Sequence, residues 1–66
     1  MKIVLGKFTV YRTIHEIEDD LVAQDVFVVD EHDEITGKFC DPALPREHAE
    51  RGFTNIMSYY RNESQS

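Results

Sequence analysis

The apolar residues between Pro45 and Tyr60 recur at the spacing of one helix face. At the helical repeat, five of them fall within an arc of about 100°. They are Ala49, Phe53, Ile56, Met57 and Tyr60. Pro45 suits the first helical turn, because the N–H that proline lacks has no helical partner there. We therefore expect a C-terminal amphipathic helix over residues 45–60, whose single apolar stripe covers only one face of the structure before it.

Gly52 lies inside this predicted helix, where glycine costs up to about 1 kcal/mol relative to alanine. It is next to Ile56 on the helical wheel. Two interpretations are open. Either the helix approaches a sheet closely at Gly52, or this is an ordinary glycine that the helix tolerates.

Residues 25–39 have the pattern of a β-hairpin. Residues 25–29 are a β-branched and aromatic run, residues 30–34 are charged and contain two turn-favouring aspartates, and residues 35–39 form a second run. The valines at 26, 28 and 29 predict a central strand covered on both faces. In the second run, Thr36 and Lys38 alternate with Ile35, Gly37 and Phe39, which predicts a strand with one solvent-facing side.

The sequence pattern in the first third of the chain is less specific for one type of secondary structure. Residues 7–14 alternate as a strand does, and residues 2–5 can form a short strand that turns at Gly6 and Lys7. Residues 13–23 fit either a helix, with Thr13 and Glu16 as a capping box, or a strand that turns at residues 18–20. We prefer the turn, because two consecutive aspartates are unfavourable inside a helix.

Together these elements predict an α+β fold, an antiparallel three- to four-stranded β-meander with one C-terminal amphipathic helix packed on one face. Residues 1–61 form the single domain, and residues 62–66 a flexible polar tail. One helix leaves the other sheet face uncovered. Tyr11, Tyr59 and part of the Val26/Val28 row are therefore expected near solvent, and Tyr59 lies about 60° off the apolar arc.

The chain is acidic, and its charge is uneven. Thirteen acidic and seven basic residues give a net charge of −6. Residues 1–15 contain three bases and no acid, whereas residues 16–41 contain ten acids and only Lys38 as a base. Because such a field repels phosphate backbones, direct nucleic-acid binding is not expected.

Cys40 is the only cysteine, so an internal disulfide is excluded. A lone cysteine is typically a small buried hydrophobe, and its free thiol suits a reducing compartment. The N-terminal apolar run is too short for a secretory signal, and no stretch approaches the roughly 20 apolar residues of a membrane span. We therefore expect a cytoplasmic location without membrane contact.

No pattern of catalytic or metal-binding residues is present. His32 lies among carboxylates at 30–34, but the EF-hand spacing is missing, and a solvated turn is the preferred interpretation. The spacing of His15, Cys40 and His48 matches no zinc site. A Cys40/His48 dyad lacks an orienting group. We expect no catalytic residue, no metal, no cofactor and no enzymatic activity.

The sequence thus favours a small acidic protein-binding module or regulator that engages a basic or mixed-charge protein through its acidic turns and sheet face. A narrower version is an inhibitor whose acids imitate the phosphates of a nucleic acid. The alternative is an assembly subunit acting as a homodimer, and a metal-dependent or Cys/His enzyme is least favoured. Predicted partner-binding acids are Glu18, Asp19, Asp20, Asp30, Glu31, Asp33 and Glu34, with Tyr11 and Tyr59 as aromatic anchors.

Overall fold

Residues 1–65 are described by the computed structural model, and they form four β-strands followed by one α-helix. The elements are β1 (Lys2–Leu5), β2 (Phe8–Glu18), β3 (Leu21–Val29), β4 (Ile35–Pro45) and α1 (Arg46–Gln65). Each strand pairs antiparallel with the next, so the sheet order is β1-β2-β3-β4. The predicted α+β meander with a C-terminal helix is confirmed. No helix within residues 1–65 is long and apolar enough to cross a bilayer.

Residues 13–23 are strand, turn and strand rather than helix. β2 ends at Glu18, residues 19 and 20 form the turn, and β3 begins at Leu21. Asp20 has a φ of 58°, in the left-handed region that aspartate enters more readily than most residues. The two aspartates that argued against a helix therefore form the hairpin turn. The predicted β1 and its turn at Gly6 are also confirmed, with Gly6 at a φ of 59°.

The core lies between one sheet face and α1. Val10, Val26 and Val28 are at most 1% exposed, and the ring of Phe8 packs edge-on against Tyr60 at a centroid distance of 5.1 Å. The apolar stripe of the helix was predicted to face the core. This is confirmed for Ala49 and Tyr60, which are buried, and the rest of the stripe is partly buried against the core. The partly buried residues are Phe53, Ile56 and Met57.

β3 is central, as predicted, but α1 covers only one of its faces. Val26 and Val28 are fully buried under the helix, so their predicted position near solvent was wrong. Phe27 and Val29, which alternate with these valines, are half-buried on the opposite face. The prediction that β3 is covered on both faces was therefore wrong as well. The reason is the period of two along a strand, which sends alternate residues of one apolar run to opposite faces.

The helix is shifted relative to its predicted bounds. Pro45 is the last residue of β4, and α1 begins one residue later at Arg46. At its other end α1 continues to Gln65 and includes residues 62–65 of the predicted tail. Ser64 is half-buried, and a Cβ on Gly6 would overlap its hydroxyl group. The polar end of α1 therefore packs on the β1–β2 turn. Ser66, the last residue of the predicted tail, lies outside the described residues.

β4 is longer and less regular than its apolar pattern predicted. It extends through Pro42 to Pro45, which a sheet edge tolerates because proline lacks only an outward-facing N–H there. A register shift opposite Val28 and Val29 leaves Thr36 as an extra residue between Ile35 and Gly37. This bulge places Ile35 on the helix-free face, 62% exposed, while Gly37 stays under Tyr60.

Candidate functional site

Two aromatic residues, Tyr11 and Phe27, are opposite each other in the strand pairing, on the sheet face that α1 leaves uncovered. Strand pairing places Lys2, Tyr11, Phe27 and Lys38 in one row across the four strands. Tyr11 is 41% exposed, and Phe27 is half-buried. The Lys38 ammonium lies 6.0 Å from the centroid of the Phe27 ring. The row is thus an aromatic pair flanked by a lysine on each side.

An aliphatic row borders this aromatic pair. Val4, Thr9, Val29 and Ile35 face one another across the sheet, with Val4 65% and Ile35 62% exposed. We refer to the apolar members of both rows as the open-face patch. They are Val4, Tyr11, Phe27, Val29 and Ile35. Contiguous exposed apolar surface of this kind on a rigid sheet is typical of protein-interaction sites.

Cys40 lies on the same helix-free face, opposite Asp25 in the strand pairing. It is exposed, so its predicted burial was wrong. The physical reason is its alternation with Phe39, which occupies the helix side of β4. Desolvation, followed by a hydrogen bond to Asp25, raises the pKa of the Cys40 thiol. The neutral thiol is thereby favoured over the nucleophilic thiolate.

The predicted acidic residues form two groups at opposite ends of the sheet. Glu18, Asp19 and Asp20 are at the β2–β3 turn, and residues 30–34 form the β3–β4 turn. The nine residues of β3 separate these turns by about 30 Å. The acids are therefore not assembled into one continuous row on one surface.

At the β3–β4 turn, the carboxylate of Asp30 organises its own loop. It accepts hydrogen bonds from the backbone N–H groups of His32, at 2.8 Å, and Glu34, at 3.0 Å. These bonds, the one from Glu34 first, lower the pKa of Asp30. The exposed His32 imidazole lies 3.8 Å from Glu31. Among residues 1–65, no three His, Cys, Asp or Glu side chains converge as metal ligands would.

At the opposite end, the start of α1 is attached to the β2–β3 hairpin. The backbone N–H of Arg46 donates to the carbonyl of Asp20 at 2.8 Å. The Arg46 guanidinium donates to the Glu16 carboxylate at 2.6 Å. Within the described chain, no such ion pair is found for Glu18, Asp19 or Asp20. This end of the molecule therefore presents negative charge to solvent.

Tyr59 is 58% exposed, but it lies on the helix side of the sheet, away from Tyr11. It borders a shallow cavity of about 430 Å³. The other lining residues are Phe39, Asn55, Ile56 and Tyr60. The exposure predicted for both tyrosines is confirmed, yet the structure does not bring them to one surface.

His48 and Cys40 lie on opposite sides of the sheet. His48 is exposed on the first turn of α1, and Cys40 is on the helix-free face. His15 is two residues beyond Thr13 on β2, and Thr13 shares a row with Asp25 and Cys40, so His15 is on the helix-free face with β3 between it and Cys40. The three residues considered as metal or catalytic groups are therefore not brought together.

Sequence reasoning did not identify the buried polar pair of Arg12, 8% exposed, and Gln24, 3% exposed. A signal for Arg12 was present, since it follows Phe8 and Val10 at the alternating inward positions of β2.

Comparison of the chain with protein-family models, curated proteins and solved structures finds no match.

Proposed function

We propose that this chain is a small protein-binding module or regulator, with the open-face patch as its contact surface. The observation that supports it is the aromatic pair Tyr11 and Phe27, at the centre of a sheet face that carries three further apolar residues and no covering element within residues 1–65. Aromatic side chains on a rigid support lose little conformational entropy on binding and are frequent interface hot spots.

The charges around the patch support a mixed-charge partner. Lys2 and Lys38 flank the aromatic pair and suit carboxylates at the partner's rim, while the two acidic turns suit basic groups farther out. Charges at a rim act mainly on the rate of association and on specificity. The division of the acids between two ends favours this general role over the narrower one of imitating a continuous phosphate row.

A second copy of the chain is a less favourable partner for the patch. Sheets that stack face to face align their strands to within about 30°, which would bring two acidic turns together at each end. Each copy carries a net charge of −6, so the copies repel.

The free thiol of Cys40 supports a reducing compartment, the cytoplasm, as the place where the module acts.

Site-specific photo-crosslinking tests the proposed surface. A benzophenone amino acid replaces Tyr11 in one variant and the exposed helix residue Thr54 in a control variant, and both are expressed in the host. We expect one protein to be captured through position 11 and not through position 54. Equal capture at both positions, or none at position 11, contradicts the proposal.

The captured protein, once purified, allows the acidic turns to be tested separately. Asp19→Asn, Asp20→Asn, Asp33→Asn and Glu34→Gln are combined in one variant, and binding is measured over a series of salt concentrations. We expect the association rate to fall with salt for the native chain and to depend less on salt for the variant. An affinity that does not change with ionic strength excludes the acidic turns from recognition.

A further inference from the structure

β4 is the outermost strand of the sheet within residues 1–65, and the direction of its backbone groups follows from the pairing of the inner strands. Arg12 exchanges backbone hydrogen bonds of 2.9 and 3.0 Å with Met1, so its N–H and C=O point away from β3. Val26 is opposite Arg12, and its own N–H and C=O therefore point toward β4, where Phe39 is opposite. Phe39 thus directs its backbone groups inward, to β3.

The residues on either side of Phe39 direct their backbone groups outward, because these groups alternate along a strand. They are Lys38 and Cys40. No hydrogen bond to their N–H or C=O groups is found in the described part of the chain. Residues 37–41 pair regularly with β3, between the bulge at Thr36 and Pro42. They form a short, regular edge with which an extended segment can pair.

This edge is on the other side of the sheet from both ends of the described chain. Met1 pairs with β2 at the β1 edge, and Ser64 packs on the turn at Gly6. Three strand spacings, roughly 14 Å, separate β1 from β4. The outer side of β4 is therefore not in line with either end.

The shallow cavity of about 430 Å³ lies beside the middle of this edge, on the helix side. Phe39 of β4 lines it together with Asn55, Ile56, Tyr59 and Tyr60 of α1, and none of these residues is charged. Phe39 is 39% exposed, and the rings of Tyr59 and Tyr60 meet at 85° with their centroids 4.9 Å apart. The volume and the aromatic lining suit an aromatic side chain.

The free edge and the cavity meet at Phe39. A strand that bonds the outward groups of Lys38 and Cys40 has one residue between those bonds, directly opposite Phe39. Directly opposite residues share a face of the sheet, so the side chain of that residue points to the helix side, where the cavity lies. Backbone bonds to an edge and a pocket for an alternate side chain are the two elements of peptide recognition by strand addition.

We infer that β4 accepts an extended segment of a partner protein as a fifth, antiparallel strand, with an aromatic side chain of that segment in the cavity between Phe39 and Tyr59. Antiparallel addition continues the arrangement of the four existing strands. This inference rests on the proposed protein-binding role and assigns it a second surface, separate from the open-face patch.

Two charged residues of the edge specify the neighbours of the aromatic anchor. Asp41 is opposite the buried Gln24, on the helix side, and Lys38 is opposite Phe27, on the helix-free face. Neither forms an ion pair within the described residues. In an antiparallel segment, the residue two positions before the anchor is opposite Asp41, and the residue after the anchor is opposite Lys38. Charge complementarity therefore favours a base at the first position and an acid at the second.

A second copy of the chain matches this edge poorly. If two copies paired antiparallel with Phe39 opposite Phe39, Lys38 would be opposite Cys40, and Asp41 opposite Gly37. Neither charge would meet an opposite charge, and each copy adds a net charge of −6. A partner segment of mixed charge is the better occupant.

Three seven-residue peptides with blocked ends test this inference on the full chain. The first has the order Thr-Lys-Thr-Phe-Glu-Thr-Thr, the second has alanine in place of phenylalanine, and the third exchanges the lysine and the glutamate. Amide hydrogen exchange is followed by NMR. At saturating concentration, the first peptide should slow exchange at Lys38 and Cys40 by at least about fivefold, the effect of one backbone hydrogen bond. The alanine peptide should bind at least about tenfold more weakly, and the charge-exchanged peptide at least about twofold more weakly.

Two pairs of variants separate the backbone contribution from that of the cavity. Cys40→Pro removes an outward N–H and retains the β3–β4 ladder, whereas Cys40→Ala keeps the N–H. Tyr59→Ala removes a ring that lines the cavity, whereas Tyr11→Ala removes an exposed ring on the helix-free face. We expect Cys40→Pro and Tyr59→Ala each to weaken binding of the first peptide by at least about fivefold. The two control variants should bind it nearly as the native chain does.

Four results would overturn the inference: no binding of the first peptide at millimolar concentration, unchanged exchange at Lys38 and Cys40 in its presence, equal affinity for the alanine peptide, or unaltered binding by Tyr59→Ala. Protection of the same amides at high protein concentration without peptide would assign the edge to a second copy instead. Should Cys40→Pro not fold, amide protection in the native chain and the two tyrosine variants decide.

Crosslinking through position 11 reports on the open-face patch independently. A failed peptide test with intact crosslinking rejects only the added strand, whereas failed crosslinking with a successful peptide test rejects only the patch.

Discussion

The guanidinium of Arg12 on β2 donates a hydrogen bond of 2.7 Å to the side-chain carbonyl of Gln24 on β3, beneath α1. A second N–H of Arg12 donates to Glu50 at 2.6 Å, and the Gln24 amide donates to the backbone carbonyl of Ala49 at 3.3 Å. The same guanidinium lies 4.4 Å from the centroid of the Phe53 ring. A buried polar network therefore attaches the first half of α1 to the sheet.

Replacement of Arg12 by alanine should destabilise the fold strongly. Gln24 is 3% exposed, so its side-chain carbonyl would lose its donor without gaining water, and Phe53 would lose the overlying guanidinium. We expect Arg12→Ala to lower the free energy of unfolding by about 2–4 kcal/mol. Urea denaturation followed by circular dichroism measures it.

Glu50→Gln is the matched control for this network. The Glu50 side chain is 57% exposed, so solvent screens its ion pair with Arg12. We expect a loss below about 1 kcal/mol. If Glu50→Gln costs as much as Arg12→Ala, the ion pair rather than the buried amide contact is the main contribution.

Two glycines should respond in opposite directions to alanine. A Cβ on Gly37 would overlap the Tyr60 hydroxyl, whereas a Cβ on Gly52 would have no heavy atom within 4 Å. We expect Gly37→Ala to lower the free energy of unfolding by about 1–3 kcal/mol and Gly52→Ala to raise it by up to about 1 kcal/mol. Gly52 is thus the tolerated helix glycine rather than a point of close approach. Parallel urea titrations compare the variants.

A double-mutant cycle identifies the obstacle at Gly37. Tyr60→Phe removes the hydroxyl, together with its 3.4 Å hydrogen bond to the Thr36 carbonyl. The alanine substitution should then cost much less in the Tyr60→Phe background than in the native chain. An equal cost in both backgrounds would place the clash on another atom, such as the nearby ring of Phe39.

The sequence was sufficient for the order of elements because their signals are local. The apolar residues from Ala49 to Tyr60 follow the helical repeat throughout. The aspartates at 19 and 20 are unfavourable in a helix and favour a turn. Which face each residue of β4 occupies depended instead on a bulge. One extra residue at Thr36 changes which side chains of β4 face the helix, and no periodic pattern records that insertion.

The candidate site was less predictable, because it depends on distances along and between strands. Glu18 and Glu34 belong to the same acid-rich segment of the sequence, residues 16–41, yet β3 separates their turns by its full length. The aromatic pair arises only from the β2–β3 register, which places Tyr11 opposite Phe27.

Acid should weaken the β3–β4 turn through Asp30. Its folded pKa is lowered by hydrogen bonds from the backbone N–H groups of Glu34 and His32, so the carboxylate is favoured in the folded state. Its stabilising contribution is therefore fully present above the unfolded pKa, about 3.9, and is lost as pH falls through the lowered folded value. Urea midpoints between pH 7 and pH 2 should decrease more for the native chain than for Asp30→Ala.

Glu31→Gln is the control for this pH dependence, since the exposed Glu31 carboxylate accepts no backbone hydrogen bond within the described residues. It should follow the native acid profile closely. A native profile identical to that of Asp30→Ala would show that the two backbone bonds do not stabilise the ionised form.

Cys40 should react slowly with electrophiles despite its exposure. Desolvation and the hydrogen bond to Asp25 raise its thiol pKa, so the reactive thiolate is scarcer than in an unfolded chain. We expect iodoacetamide at pH 8 to alkylate the native protein more slowly than the same chain unfolded in guanidinium chloride. Asp25→Asn removes the adjacent negative charge and should accelerate the native reaction, whereas Asp41→Asn, which removes a weaker charge effect, should change it less. A native rate equal to the unfolded rate would contradict a raised pKa and would make Cys40 an accessible, unperturbed thiol on the helix-free face.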